Sequence, residues 1–397
     1  MNKNVLILAV ATSLLVYSGC GGSGGSSGSG TSESSLANSD VLTGRLIDGY
    51  IREATVCLDD NANGYCDESE PKTTTDMLGA YTISADAYNA SLLAYGGVDT
   101  ATQKEFKVVY CAPAESSVIT ALTTMLYFME TNSTLFNSQA LLKNAFGISQ
   151  AVNIKTFDAL DAQNILSADG AAVLSAQLRL QIYMHSLTSL LYTYAPDSDF
   201  LTLSRLIAAH LAQQIAQNTL LFSQSAIEAT IEAMGVEIPS EHANVISKSA
   251  EKLALLLETV ESEMRNSTDI ANTAKLLNLY AQETFDAALG EANGNNNINV
   301  LTQLSVSDDI LALLSSASSS SDSATNSSLS LSSTSEAASS ITQNILPDLE
   351  SEGSANSSGG TTLPDPNSSE GDTTGGSGVL PDPNDKGETS TTLPQIG

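Results

Sequence analysis

The chain is organised around the stretch Cys57-Leu-Asp-Asp-Asn-Ala-Asn-Gly-Tyr-Cys-Asp-Glu-Ser-Glu70. From Asp59 onward, oxygen-bearing side chains recur at nearly every second position, and Gly64 stands in the middle. Alternating oxygens let a short loop wrap round a hard cation, and a glycine permits the sharp turn that wrapping needs. The stretch therefore predicts a calcium-binding loop.

The spacing D-x-N-x-N-G-x-x-D-x-x-E is that of the twelve-residue loop of an EF-hand. Five side chains and one backbone carbonyl are the expected calcium ligands: Asp59, Asn61, Asn63, Tyr65 (carbonyl), Asp67 and Glu70. Asn, Asp and Gly also build solvated turns without a metal, but six matched positions favour calcium. The loop follows a strand-like run, Ala54–Leu58, and precedes Pro71, so we expect it between β-segments and not between helices.

Composition narrows the function classes. The chain has 397 residues and a net charge of −30, from 45 acidic and 15 basic residues. We do not expect this chain to bind nucleic acids, because such binding needs Lys and Arg to displace counterions from phosphates. The acidic charge suits solubility and a nearby population of divalent cations.

Residues 1–19 are predicted to be a signal peptide. Lys3 gives a basic start, and Val5–Val16 is an apolar run too short to span a bilayer. Ser18-Gly19-Cys20 resembles the end of a bacterial lipobox, which implies that Cys20 carries the lipid and anchors the chain to a membrane. The alternative is an ordinary secreted protein cut near Gly19.

Residues 20–40 are predicted to be a flexible Gly/Ser-rich linker with a reach of roughly 25 Å, as expected for a lipoprotein tether. Gly21 is not Asp, so the resemblance implies no retention at the inner membrane. We therefore expect the bacterial cell envelope, on either the periplasmic or the exposed face of the outer membrane.

Residues 41–113 are predicted to form a small β-sandwich. The segments Thr43-Gly-Arg-Leu-Ile-Asp-Gly-Tyr50, Ala54-Thr-Val56 and Thr75-Asp-Met-Leu-Gly-Ala-Tyr81 resemble carboxypeptidase-regulatory-like, prealbumin-type β-modules. The calcium loop is similar to that of B-type repeats in bacterial surface proteins. These resemblances imply a structural spacer or an adhesive module without catalytic residues.

Residues 114–290 are predicted to form a helical bundle. Val118-Ile-Thr-Ala-Leu-Thr-Thr124 and Asn153-Ile-Lys-Thr-Phe-Asp158 resemble a segment of large bacterial surface proteins in which a β-module runs into helices. Apolar residues recur at helical spacing in four series: Val118, Leu122, Met125, Met129; Leu180, Met184, Leu187, Leu191, Tyr194; Leu253, Leu257, Val260, Met264; and Ile270, Ala274, Leu277, Ala281, Phe285. Thr268-Asp269 is a plausible N-cap for the last series.

Residues 291–397 are predicted to be a disordered, acidic, Ser/Pro-rich tail, because they hold too little apolar surface to offset chain entropy. Within them, Ile298–Leu314 is the one segment with a helical pattern. Leu363-Pro-Asp-Pro-Asn367 recurs as Leu380-Pro-Asp-Pro-Asn384.

The cysteines and histidines are the remaining candidates for cross-links and metal ligands. In an exported protein, Cys57–Cys66 is the favoured disulfide, although Cys111 could pair with either cysteine instead. His185, His210 and His242 show no zinc-ligand spacing, and the two in amphipathic helices are expected to be core residues. Nucleophile elbows, P-loops and dinucleotide fingerprints are absent from the sequence, so we expect no enzyme.

The sequence thus predicts an α+β protein, with a β-sandwich before an all-α bundle and flexible ends. We expect a non-catalytic, lipid-anchored envelope protein, structural or adhesive, with a structural Ca²⁺ site and an unidentified protein or surface partner. Two alternatives belong to other classes: a helical carrier of an apolar ligand, which needs an apolar cavity, and a hydrolase with clustered helical carboxylates.

Overall fold

A computed structural model describes residues 41–84, 90–132, 137–219 and 221–321. The predicted signal peptide, lipidated Cys20, the 20–40 linker and the tail beyond Ser321 lie outside these residues. None of the helices in the described residues has both the length and the apolar character needed to cross a membrane.

The N-terminal part is built from short strands. In chain order they are Val41–Leu46 (β1), Ile51–Arg52 (β2), Thr55–Asp59 (β3), Lys72–Thr74 (β4), Ala80–Ser84 (β5), Ser91–Tyr95 (β6), Val98–Asp99 (β7), Tyr110–Ala112 (β8) and Val118–Ile119 (β9). They form three sheets, with the orders β5-β1-β9, β2-β7 and β4-β3-β6-β8.

The four-stranded sheet positions the predicted calcium loop. Strand β3 is buried over most of its length and pairs antiparallel with β4 on one side and β6 on the other. It ends at Asp59, and β4 begins at Lys72, so the loop is the connection between two antiparallel neighbours. Both ends of the loop are therefore fixed by strand pairing.

The C-terminal part is helical. Its α-helices are Ala121–Asn132 (α1), Ser138–Phe146 (α2), Ala168–Tyr192 (α3), Phe200–Ala216 (α4), Gln224–Ala233 (α5), Ala243–Asn266 (α6), Ile270–Tyr280 (α7), Asp286–Gly294 (α8), Asn299–Gln303 (α9) and Val306–Ser321 (α10). A 3₁₀ turn, Ser240–His242, precedes α6, and a π-helical segment, Ala281–Phe285, joins α7 to α8.

Helix α3 lies at the centre of the helical part. Its buried residues run round the whole helix, as expected for a helix that is covered on all sides. Local caps set the starts of several helices: the side chains of Ser167, Asp199, Ser223 and Asp269 each accept a backbone N–H from the first turn. The cap predicted at Asp269 is confirmed.

The α+β class is confirmed, with two differences in detail. Val118 was expected to begin a helical series, but it lies in β9, where it pairs with Arg45, and the helix starts at Ala121. The helices also continue past the boundary expected at Gly290, because α9 and α10 bury Leu301, Ile310 and Leu313.

Strands and helices share one hydrophobic core. Buried residues of the sheets, such as Val56 and Leu92, belong to the same cluster as Met125 of α1 and Leu187 of α3. Hydrogen bonds cross the same boundary: the hydroxyl of Thr124 accepts from the N–H of Cys111, at 3.0 Å. The described residues between 41 and 321 therefore form one packed body in which the loop and the bundle are in contact.

Candidate metal centre

The loop between β3 and β4 makes a tight reversal. Ala62 and Gly64 both have a positive φ, at 56° and 73°. Nη2 of Arg205 also approaches Gly64 closely, so a Cβ at this position would displace the end of that flexible side chain. The central glycine thus allows both the turn of the loop and the close approach of a side chain from α4.

Asp59 gives the strongest indication of a cation site in the loop. Its side chain is only 2 % exposed. Oδ2 accepts hydrogen bonds from the N–H of Gly64, at 2.9 Å, and from the hydroxyl of Tyr127, at 3.4 Å. Oδ1 is buried, and among the described residues it has no hydrogen-bond donor. An unpaired buried carboxylate oxygen is costly, and a bound cation would satisfy it.

Glu70 closes the loop from the opposite end. It is 7 % exposed, and each of its oxygens accepts a backbone N–H: Oε1 from Asp60, at 3.1 Å, and Oε2 from Asp67, at 2.9 Å. A carboxylate oxygen can accept more than one partner, so both oxygens retain capacity for a metal. These bonds hold the carboxylate toward the loop backbone.

The three polar side chains between them form a small network. The Nδ2 atoms of Asn61 and Asn63 donate to Oδ2 of Asp67, at 2.7 and 2.8 Å. Their Oδ1 atoms accept the N–H groups of Asn63 and Tyr65. The Asp67 carboxylate is therefore held by amide donors in this arrangement, and it would have to exchange them when it binds a cation.

A disulfide spans the loop. Cys57 and Cys66 are joined, with their Cα atoms 6.0 Å apart, which is the pairing that the sequence favoured. The two sulfurs and a Glu70 oxygen lie within 4.8 Å of one another. Oxidised sulfurs are not thiolates and do not serve as metal ligands. Cys111 is left as a buried free thiol, and burial raises its pKa to about 12.

Two residues of the helical part contact the loop, and the sequence did not indicate either of them. Tyr127 of α1 bonds to Asp59, and Arg205 of α4 lies over the ring of Tyr65, at 4.3 Å from the guanidinium carbon to the ring centroid. They are 68 and 140 positions from their partners, so no local spacing signal exists. Only the packing of α1 against the sheet, and of α4 against α1, brings them there.

The histidines are placed apart from the loop network. Nδ1 of His185 lies 2.7 Å from Oδ2 of Asp286, and Nδ1 of His242 lies 3.1 Å from the hydroxyl of Tyr194. His210 is half-buried, and burial lowers its pKa. Its Nδ1 has no hydrogen-bond partner among the described residues. His185 and His210 are both half-buried, where the sequence predicted core residues.

Comparisons of the chain with protein-family models, with curated proteins and with solved structures found no match. The chemistry of the loop is therefore the basis for a functional assignment. By residue type its donor set suits a hard divalent cation, because Asp59, Asn61, Asn63, Asp67 and Glu70 offer oxygen atoms. In the described structure, the carboxylates of Asp59, Asp67 and Glu70 do not gather within 4.8 Å of one another.

Proposed function

We propose that this chain is a non-catalytic protein of the bacterial envelope, anchored by a lipid on Cys20, whose folded part is stabilised by one calcium ion and serves a structural or adhesive role. The observation that carries the calcium site is Oδ1 of Asp59, a buried carboxylate oxygen without a donor among the described residues. The proposed envelope location is supported by the residues that precede the fold, Val5–Val16 and Cys20.

Calcium would be held by Asp59, Asn61, Asn63, the Tyr65 carbonyl, Asp67 and Glu70. The ion would supply charge to a loop that carries three carboxylates among these ligands, and it would tie the end of β3 to the start of β4. Weak affinity is expected, on the order of 10⁻⁴–10⁻³ M, which is the range of extracellular modules. The positively charged guanidinium of Arg205 lies close to Gly64. It should lower the calcium affinity further, because like charges repel.

A titration of the whole chain with calcium tests the site. Glu70→Gln should weaken binding by at least tenfold, since it removes a buried charged ligand. Glu68→Gln is the matched control, because Glu68 is exposed in the same loop and is not one of the six ligands. Equal affinities of the two variants would contradict the assignment.

The envelope address has its own test. We expect the wild-type chain in the membrane fraction of the producing bacterium and the Cys20→Ser chain in the soluble fraction. Protease treatment of intact cells then distinguishes a surface-exposed adhesive element from a periplasmic one. Retention of Cys20→Ser in the membrane would contradict anchoring at this residue.

A further inference from the structure

The loop between β3 and β4 contains the dipeptide Asn63-Gly64, which is open to a reaction within the chain itself. The backbone nitrogen after an asparagine can attack the side-chain amide carbon and close a succinimide ring. Glycine resists this attack least, because it has no Cβ and is free in its backbone angles. The sequence contains a second such pair, Asn293-Gly294, so the same dipeptide can be compared in two settings.

The loop folds the side chain of Asn63 back along the peptide that follows it. Oδ1 of Asn63 accepts the N–H of Tyr65, at 2.7 Å, which is the hydrogen bond of an Asx-turn. Such a turn places the amide carbon beside the intervening peptide, whose nitrogen belongs to Gly64. Asn63 is also exposed, so water reaches the amide.

Three groups lie where the reaction moves charge. The N–H of Gly64 donates to Oδ2 of Asp59, at 2.9 Å, so a carboxylate is in place to receive the proton that this nitrogen must lose. The N–H of Tyr65 donates to the oxygen that becomes an oxyanion as the ring closes. Oδ2 of Asp67 accepts a hydrogen bond from Nδ2 of Asn63, the leaving nitrogen, at 2.8 Å.

The second pair lies in a setting without these features. Asn293 and Gly294 belong to helix α8, and Asn293 is only 7 % exposed. A helix directs its N–H groups toward backbone carbonyls, which accept a hydrogen bond but do not take up a proton. Nδ2 of Asn293 also contacts the hydroxyl of Thr193. We therefore expect this dipeptide to be stable in the folded protein.

We propose that Asn63 is a site of self-catalysed deamidation, in which Asp59 acts as the base. The nitrogen of Gly64 bonds to Cγ of Asn63 while its proton passes to Asp59. The bond between Cγ and Nδ2 then breaks, and the nitrogen leaves as ammonia after the proton returns to it through solvent. Water opens the succinimide at either carbonyl and gives an aspartyl or an isoaspartyl residue. The net reaction consumes one water and releases one ammonia.

The product changes the charge of the loop. Asp67 accepts amide donors from Asn61 and Asn63, and the conversion replaces one of these donors with a carboxylate. Two negative groups then face each other, which raises the demand of the loop for a cation. This consequence for calcium rests on the proposed function, whereas the deamidation itself does not.

Incubation of the whole chain in chelator at neutral pH, folded and in urea, tests the proposal without calcium. Peptide mapping by mass spectrometry gives the conversion rate at each asparagine. In urea, Asn63 and Asn293 should convert at similar rates, because unfolding frees both pairs alike. In the folded protein, Asn63 should convert at least as fast as in urea, and Asn293 should convert about tenfold more slowly or less, since the helix withholds the reacting geometry. Slower conversion of Asn63 in the folded chain than in urea overturns the proposal.

Variants test the role of Asp59. Asp59→Asn keeps an acceptor for the N–H of Gly64 but does not take its proton, so the conversion of Asn63 should slow by about tenfold or more. Asp60→Asn is the matched control, because it removes the same charge from an exposed residue of the loop, and the rate should not change. A melting curve shows whether Asp59→Asn is folded, and the comparison of the wild type with and without urea tests the proposal if it is not. Equal rates in the wild type and in a folded Asp59→Asn chain overturn the proposal.

Discussion

The hydroxyl of Tyr127, on helix α1, donates a hydrogen bond to Oδ2 of Asp59, the first residue of the proposed calcium loop, over 3.4 Å. The second carboxylate oxygen, Oδ1, has no donor among the described residues and would be the one available to a cation. One side chain thus joins the helical part to the proposed metal ligand. Filling the loop should therefore stabilise the helices together with the sheet.

Tyr127→Phe tests this link. The variant loses one long hydrogen bond to a carboxylate, so we expect a loss of about 1 kcal/mol or less in the free energy of unfolding. The loss should be accompanied by a change in calcium affinity, because the N–H of Gly64 is then the remaining donor to Asp59 among the described residues. Tyr192→Phe is the control, since Tyr192 is exposed and lies far from the loop in sequence. Unchanged calcium affinity in Tyr127→Phe would contradict the coupling.

The disulfide between Cys57 and Cys66 should stabilise the folded protein. Breaking Cys57–Cys66, in a Cys57→Ser/Cys66→Ser chain, should cost about 2.5–3 kcal/mol in the chain-entropy model of a short closed loop. Urea unfolding measures this cost. An unchanged midpoint would show that the cross-link does not constrain the unfolded chain.

Cys111 should be almost inert to alkylation in the folded protein. Its thiol is buried, and burial raises its pKa to about 12, so very little thiolate forms at neutral pH. In a Cys20→Ser chain, mass spectrometry should find no alkylated cysteine under native conditions and one after unfolding without reductant. Rapid alkylation of the native chain would contradict the burial of this residue.

Stability should depend on pH through Asp48. Burial, followed by the nearby charge of Asp99, raises the pKa of Asp48 well above its ordinary value. A carboxyl with a raised pKa in the folded state favours folding below its unfolded pKa of about 4, and this contribution is lost as pH rises through the folded value. The wild type should therefore lose stability relative to Asp48→Asn as pH rises from about 4 toward neutral.

Urea unfolding of both chains across this range measures the difference, with Asp197→Asn as an exposed control. The gap in the free energy of unfolding between Asp48→Asn and the wild type should widen with increasing pH. A constant or shrinking gap would mean that Asp48 is ionised alike in the folded and unfolded chains.

Local patterns predicted the elements that depend on local chemistry. Helical spacing located α3 and α7, and a polar side chain predicted the cap at Asp269, because those signals lie within a few residues of one another. Two-residue strands such as Ile51–Arg52 carry no periodicity and were not predicted. Val118 has the spacing of a helix, but pairing with Arg45 decides its conformation.

The same distinction between local and distant residues applies to the polar sites. The six proposed calcium ligands lie within twelve consecutive residues, so their spacing alone predicts the loop. The groups that surround it, Tyr127 and Arg205, come from distant helices and leave no trace near the loop in the sequence. A cavity lined by Asp48, Asp99 and Gln177 could not be predicted for the same reason, because its residues meet only after the sheets and the helices pack together.

We propose that calcium holds the loop and, through Tyr127 and the shared core, the whole packed body. Thermal unfolding of the whole chain, with calcium and with chelator, measures this stabilisation. At free calcium about 100 times the dissociation constant, binding should add about 2.7 kcal/mol to the free energy of unfolding and raise the midpoint by several degrees. Glu70→Gln should reduce that shift by about half or more, and Glu68→Gln should retain it. Equal midpoints of the wild type in calcium and in chelator would contradict the claim and leave the loop as a turn.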